Sequence, residues 1–192
     1  MWRLFFVLTT LLFLPLSSQA SDEQSLWEAL QEGGKVIMMR HAVVDPDMGD
    51  SSILDASCFS EKNLTDFGKQ QAKSIKQAFE AHAIQVGKVW ASPYCRTKDT
   101  AKLAFGNYEV SELLHLVRTV PDEKAHASQT KIRQILSNYS ESANMVMVTH
   151  RPNIAEITNQ RLKPAQMVIF EPLGDGLFDV LGILEVPATS VD

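Results

Sequence analysis

The sequence predicts an α/β domain of three layers, helices on both faces of a mostly parallel sheet. Two observations carry this. Short apolar runs alternate with segments of helical spacing along the chain, which is the pattern of a layered α/β domain. Three of those apolar runs also end directly at a His or at a helix start: KVIMMR before His41, GKVWA before Ser92, and NMVMVT before His150. Strands that feed helix starts in this way are the building blocks of parallel sheets.

Taken in order, Ser21 to Gln31 places Leu26, Trp27 and Leu30 on one side of a short helix that Gly33-Gly34 ends. Lys35 to Arg40 is a buried strand. Ala42 to Lys62, studded with Asp, Pro, Gly and Ser, is a long loop that shapes a rim. Thr65 caps a helix running to about Ala83, with Phe67, Ile75, Phe79 and His82 near helical spacing. Gly87 to Ala91 is a second strand. Ser92-Pro93 reads as an N-cap with proline at the first helical position, and that helix runs to Phe105 before Gly106-Asn107. A short strand is expected near Leu113 to Val117. Ile132, Ile135, Leu136 and Tyr139 mark a helix from about Ala127. Asn144 to Thr149 is a third strand, and Pro152 starts a helix to about Thr158. Gln166 to Phe170 and Leu177 to Leu184 close the chain as two strands joined by a turn at Gly174-Asp175-Gly176.

The N-terminus has a separate layout. Arg3 precedes an apolar run from Leu4 to Leu16, and a short polar stretch ends Ser18-Gln19-Ala20. This is the arrangement of a secretory signal peptide over 1–20. The run is short for a membrane span, which needs about 20 apolar residues. The expected products are a cleaved leader, a single domain over 21–192, no stable membrane anchor, and a periplasmic or secreted location. The formal net charge of −5 becomes −6 without Arg3. That balance excludes sequence-independent nucleic-acid binding, which runs on Lys and Arg against phosphate. It leaves room for an anionic small substrate held by a few local arginines.

The chain has two cysteines, Cys58 and Cys95. In an exported protein an even pair predicts one disulfide, the alternative being two separate thiols. Neither has an Arg six positions on, where a cysteine phosphatase loop would place it. The acidic loop after Ala42 fails the calcium-loop pattern, since position five from Asp45 is Gly49. No GxxxxGK or GxSxG motif occurs. No metal or cofactor is expected.

Ligands of open α/β sheets bind beyond the carboxyl ends of strands. His41, Arg96 and His150 can therefore converge on one site, and Arg40 joins them if its strand ends there, because neighbouring strand residues point to opposite faces. Guanidinium forks match phosphate oxygens. A neutral imidazole is a competent nucleophile. Phosphoryl transfer asks mainly for positioning and charge stabilisation. Two arginines and two histidines around one phosphate meet that need.

At these residues the sequence resembles the histidine phosphatase superfamily, also called phosphoglycerate mutase-like. Arg40-His41-Ala42 resembles its Arg-His-Gly signature. Asn63-Leu64-Thr65 with Gly68 and Gln71-Ala72 resembles the helix that follows, Ser92-Pro93 with Arg96 and Thr100-Ala101 its second phosphate-binding segment, and Val148-Thr149-His150 its closing histidine motif. The leader and the cysteine pair are most similar to small exported members, among them the lipopolysaccharide core heptose phosphate phosphatases. The resemblance implies a phosphoglycerate mutase-like fold and a metal-independent phosphatase. His41 would become phosphohistidine, Arg40 and Arg96 would hold the phosphate, and His150 would stabilise its oxygens. The substrate would be a phosphorylated small molecule or envelope glycan. A general acid is implied some 25 residues beyond the second Arg. Glu123 is the first choice and Asp122 the second, with Glu109 and Glu112 lying nearer to Arg96. Ala42 replaces the usual Gly, narrowing backbone freedom and close approach to a ligand. The alternatives are a non-catalytic phosphate-binding protein of the same fold and a phosphatase acting on phosphohistidine.

Overall fold

The computed structural model describes residues 18–189. The expected leader falls almost wholly outside the described residues. Its last three positions, 18–20, open helix α1 (Ser18–Glu32). Among the described residues no helix is long and apolar enough to cross a membrane.

Six strands form one sheet: β1 (Val36–Arg40), β2 (Val86–Ala91), β3 (Glu109–Val110), β4 (Asn144–Thr149), β5 (Met167–Gly174) and β6 (Leu177–Leu184). Their order is β3-β2-β4-β1-β5-β6. The first four run parallel, and the closing hairpin β5–β6 is antiparallel. The other helices are α2 (Asp66–Ala81), α3 (Cys95–Phe105), α4 (Asp122–Asn138) and α5 (Arg151–Thr158).

The side-chain period of two in a strand splits the core into two halves. Ile37 and Met39 of β1 face Leu30 of α1, Ile75 of α2 and Ala101 of α3. Val36 and Met38 face Ile132 and Leu136 of α4 and Ile154 of α5. Both faces of the central strands are buried, which explains why β1 and β4 read as continuous apolar runs instead of alternating ones.

The structure corrects three expectations. The helix after β2 begins at Cys95, with Tyr94 and not Ser92 at its cap. The Ser92 amide instead donates to the Val148 carbonyl at 3.0 Å, so the sheet ladder runs one residue past β2 and delays the helix. The stretch around Leu113 to Val117 is two 3-10 turns, Glu112–Leu114 and Val117–Thr119. Its carbonyls are met by side chains: Leu114 O accepts from Thr149 Oγ1 and His115 O from Asn153 Nδ2, at 3.1 and 2.7 Å. No sheet partner is required. Finally, α4 starts at Asp122, five residues before the expected start near Ala127, with Pro121 as its cap.

Candidate active site

β1 ends at Arg40, so Arg40 and His41 escape the strict alternation that would have sent them to opposite faces. The His41 amide continues the ladder by donating to Thr149 O at 3.0 Å, and the Arg40 amide donates to Gln166 O at 3.1 Å. Beyond this point a cavity of about 270 Å³ opens, lined by Arg40, His41, Arg96 and His150 together with Lys62, Arg118 and Arg151. The structure thus brings together the four residues that the strand ends implied.

The hydrogen bonds fix both imidazole tautomers. His41 Nδ1 lies 2.8 Å from the Ala42 carbonyl, which can only accept. Nδ1 therefore carries the proton, and Nε2 keeps its lone pair. His150 Nδ1 lies 3.4 Å from an Arg96 nitrogen, which can only donate, so His150 carries its proton on Nε2 and donates it to Ser92 Oγ at 2.8 Å. The two rings meet edge to face with centroids 5.6 Å apart. Burial pushes the His41 pKa down to about 3, with Arg96 and Arg40 adding to the fall and the Ala42 hydrogen bond opposing it. His150 moves in the same direction, through burial first and then the neighbouring His41, Arg96, His115 and Arg40. Both rings are neutral at ordinary pH.

Two buried guanidinium nitrogens have no hydrogen-bond partner. Arg40 donates to Leu162 O at 2.8 Å, but its Nε is buried without a partner. Arg96 donates to Ser51 O at 2.9 Å, while its Nη1 has no hydrogen bond. Buried unpaired donors are rare because each forfeits its solvation. Both residues line the cavity, where their positive charge suits an oxyanion.

The backbone around His41 is held by side chains of two helices. Thr100 of α3 accepts from the Ala42 amide at 3.1 Å and donates to Arg96 O at 2.7 Å. Gln71 of α2 accepts from the Val43 amide at 3.0 Å. Thr65 caps α2 by accepting from the Gly68 amide at 2.9 Å. A Cβ on Gly68 would stand 2.0 Å from Val43 O, so only glycine lets α2 approach so closely. Ala42 is buried and is not among the residues of positive φ. Its methyl group therefore meets no backbone penalty, and replacing glycine strains nothing here.

The long loop is anchored at several points. Cys58 and Cys95 are bridged, with Cα atoms 5.8 Å apart. Tyr94 Oη donates to Ser52 O at 3.3 Å. Glu61 is fully enclosed. Its carboxylate accepts from the Cys95 amide at 2.7 Å and the Asp55 amide at 3.1 Å, and it stands 4.0 Å from Arg96 Nη1. Loop, disulfide, helix start and arginine thus form one unit.

Residues 36–118 match the family model described as "Histidine phosphatase superfamily (branch 1)". A solved structure of the protein histidine phosphatase SixA with tungstate shares 17% identity and a TM-score of 0.57, covering 79% of this chain and 96% of that one. The histidine phosphatase superfamily fold is the fold of this chain. The structure of Rv3214 from Mycobacterium tuberculosis shares 18% identity and a TM-score of 0.58, covering 81% of this chain and 98% of that one. A mutant phosphoserine phosphatase from Entamoeba histolytica, in complex with phosphoserine, shares 15% identity and a TM-score of 0.52, with coverages of 78% and 95%. No curated protein sequence matches the chain.

Within this histidine phosphatase fold, the two carboxylates chosen as general acid are not brought to the nucleophile. Asp122 and Glu123 are exposed in the first turn of α4. Asp122 borders a neighbouring cavity of about 230 Å³, separated from the His41 cavity by Arg118, which lines both. Among the described residues, those lining the His41 cavity include no carboxylate. Sequence reasoning missed Ser92 as the partner of His150, Glu61 beneath Arg96, and the rim cations Lys62, Arg118 and Arg151. Only Ser92 had a signal, its place at a strand end, and that was read as a helix cap.

Proposed function

We propose that this protein is a phosphatase that works through a phosphohistidine on His41, without a metal. The observation that carries the reading is the His41 ring. Its Nδ1 proton is committed to the Ala42 carbonyl, and its neutral Nε2 is the free nitrogen in a pocket of guanidinium groups. A phosphoryl group bound there has its oxygens against Arg40 and Arg96. The Nε2 lone pair forms the P–N bond as the P–O bond to the leaving group breaks. Buried guanidiniums stabilise the charge spread over the phosphoryl oxygens, which is where most of the catalysis in such transfers resides. His150 stays neutral and, through its Nδ1, holds the Arg96 guanidinium beside the phosphoryl oxygens. Water next attacks phosphorus, the P–N bond breaks, and inorganic phosphate leaves with Nε2 restored.

The test is phosphate release from an aryl phosphate between about pH 4 and pH 8 with chelator present, comparing wild type with His41→Ala. Release that the chelator spares and the substitution abolishes supports the reading. Release that survives His41→Ala refutes it.

The lining without a carboxylate favours a narrower version, action on phosphohistidine or another P–N bond. An alcohol leaves as an alkoxide unless it is protonated, whereas a phosphorylated imidazole carrying a proton on its other ring nitrogen departs neutral. Export rests on the Arg3 and Leu4–Leu16 leader and is consistent with the disulfide. An envelope phosphate ester, with lipopolysaccharide core heptose phosphate as the sharpest choice, rests on resemblance to small exported members. Faster turnover of a phosphoramidate than of an alkyl phosphate would select the P–N reading, and the reverse order would select the ester.

A further inference from the structure

The His41 cavity holds more positive charge than one phosphate requires. Five of its eleven lining residues are Lys or Arg, and none is Asp or Glu. This occurs in a chain with 23 acidic and 18 basic side chains. Arg40 and Arg96 supply the donors beside His41. Lys62, Arg118 and Arg151 remain. They come from three separate places: the end of the long loop, the second 3-10 turn, and the first residue of α5. Among the described residues, no carboxylate lies within 4.0 Å of any of the three. Lys62 Nζ donates to Pro46 O, and Arg118 and Arg151 are exposed.

Such crowding costs free energy in the empty protein. Arg151 depresses the pKa of Arg40, second only to burial, and the two together take it down to about 10. Converging unpaired cations destabilise one another unless an anion sits between them.

We infer that the substrate carries a second phosphate, held by Lys62, Arg118 and Arg151 while the first lies against His41, Arg40 and Arg96. The substrate class is a bisphosphorylated small molecule or glycan. This inference rests on the phosphatase reading for the role of the first group, but the binding it asserts can be measured without turnover.

Dissociation constants of glucose 1,6-bisphosphate, glucose 6-phosphate and glucose 1-phosphate are measured by calorimetry on the His41→Ala protein, in which no phosphoryl transfer to the histidine can occur. The bisphosphate is expected to bind at least about tenfold more tightly than either monophosphate, the order of one additional charge-assisted contact. In Arg118→Gln/Arg151→Gln on the same background, that gap is expected to shrink to about threefold or less. Lys73→Gln/Lys131→Gln removes the same charge from exposed positions outside the cavity, and the gap is expected to persist. Equal affinity of all three sugars overturns the inference. So does a gap that survives loss of both arginines, or one that the charge-matched control closes equally. Failure of the wild-type protein to hydrolyse any of these sugars, with the affinity pattern intact, would count against the phosphatase reading alone.

Discussion

The two buried imidazoles make stability fall with acid in a way that can be assigned to them. His41 in the folded protein has a pKa near 3, against an ordinary value of 6.5. The folded state therefore binds fewer protons than the unfolded chain at every pH between these values. A depressed histidine contributes stability that is complete above about pH 6.5 and is lost progressively as the pH falls toward the folded value. The slope is about 1.4 kcal/mol per pH unit for one such group, so His41 alone accounts for a loss of about 3 kcal/mol by about pH 4.5. His150 shifts in the same direction and adds to the slope. Urea unfolding between about pH 4.5 and pH 7.5 gives the measurement, with His41→Ala as the perturbation. The substitution is expected to flatten the stability curve by about 1.4 kcal/mol per unit below pH 6, and by somewhat more because His150 loses a neighbour that opposes its protonation. The three histidines outside this pair, His82, His115 and His126, are present in both proteins and cancel from the comparison. Inorganic phosphate should flatten the wild-type curve too, since an anion beside the rings favours their protonated forms. Parallel curves for wild type and His41→Ala would refute the argument that burial keeps His41 neutral.

Breaking the Cys58–Cys95 bridge by Cys58→Ser/Cys95→Ser frees a loop of sequence separation 37 and is expected to lower stability by about 4 kcal/mol, read from urea midpoints with and without the bridge. Glu61→Gln leaves one side-chain oxygen where two backbone amides now find one each, and it removes the negative charge beneath Arg96. A loss of about 3 kcal/mol and a raised KM for aryl phosphate are expected, and an unchanged urea midpoint would show that the enclosed carboxylate holds nothing. Ser92→Ala removes the acceptor of the His150 Nε2 proton and should slow turnover by roughly tenfold with little effect on KM, as seen in steady-state kinetics. Across a series of aryl phosphates, kcat/KM should fall steeply as the leaving phenol becomes more basic, because no carboxylate lines the cavity to protonate it. A flat dependence would reveal an acid that reaches the site.

What the sequence disclosed and what it concealed divide along a physical line. The strand ends were legible because they combine a continuous apolar run, required of strands buried on both faces, with an abrupt change to His or to a helix start. His41, Arg96 and His150 could be placed together from topology alone. The start of α2 was legible because Thr65 acts on its own segment as a cap, whereas the close approach of Gly68 to Val43 is set by the tertiary fold. Asp122 and Glu123 show the opposite case. Pro-Asp-Glu is also the signature of a helix start, where acidic side chains meet the positive end of the helix dipole, and in the structure they open α4. A carboxylate offers the same letter to the sequence whether it donates a proton or caps a dipole, and distance from the nucleophile decides between the roles. Glu61 is the hardest kind of residue to find this way. It lies in a polar loop, 35 positions before Arg96, with nothing nearby to predict burial. Its role exists only because the disulfide and the turn at Cys58 fold the loop over α3, so that one carboxylate meets the amide of Cys95 and the charge of Arg96 together. Such a buried charge is stable only where its partners converge in space, and those contacts are set by the tertiary fold.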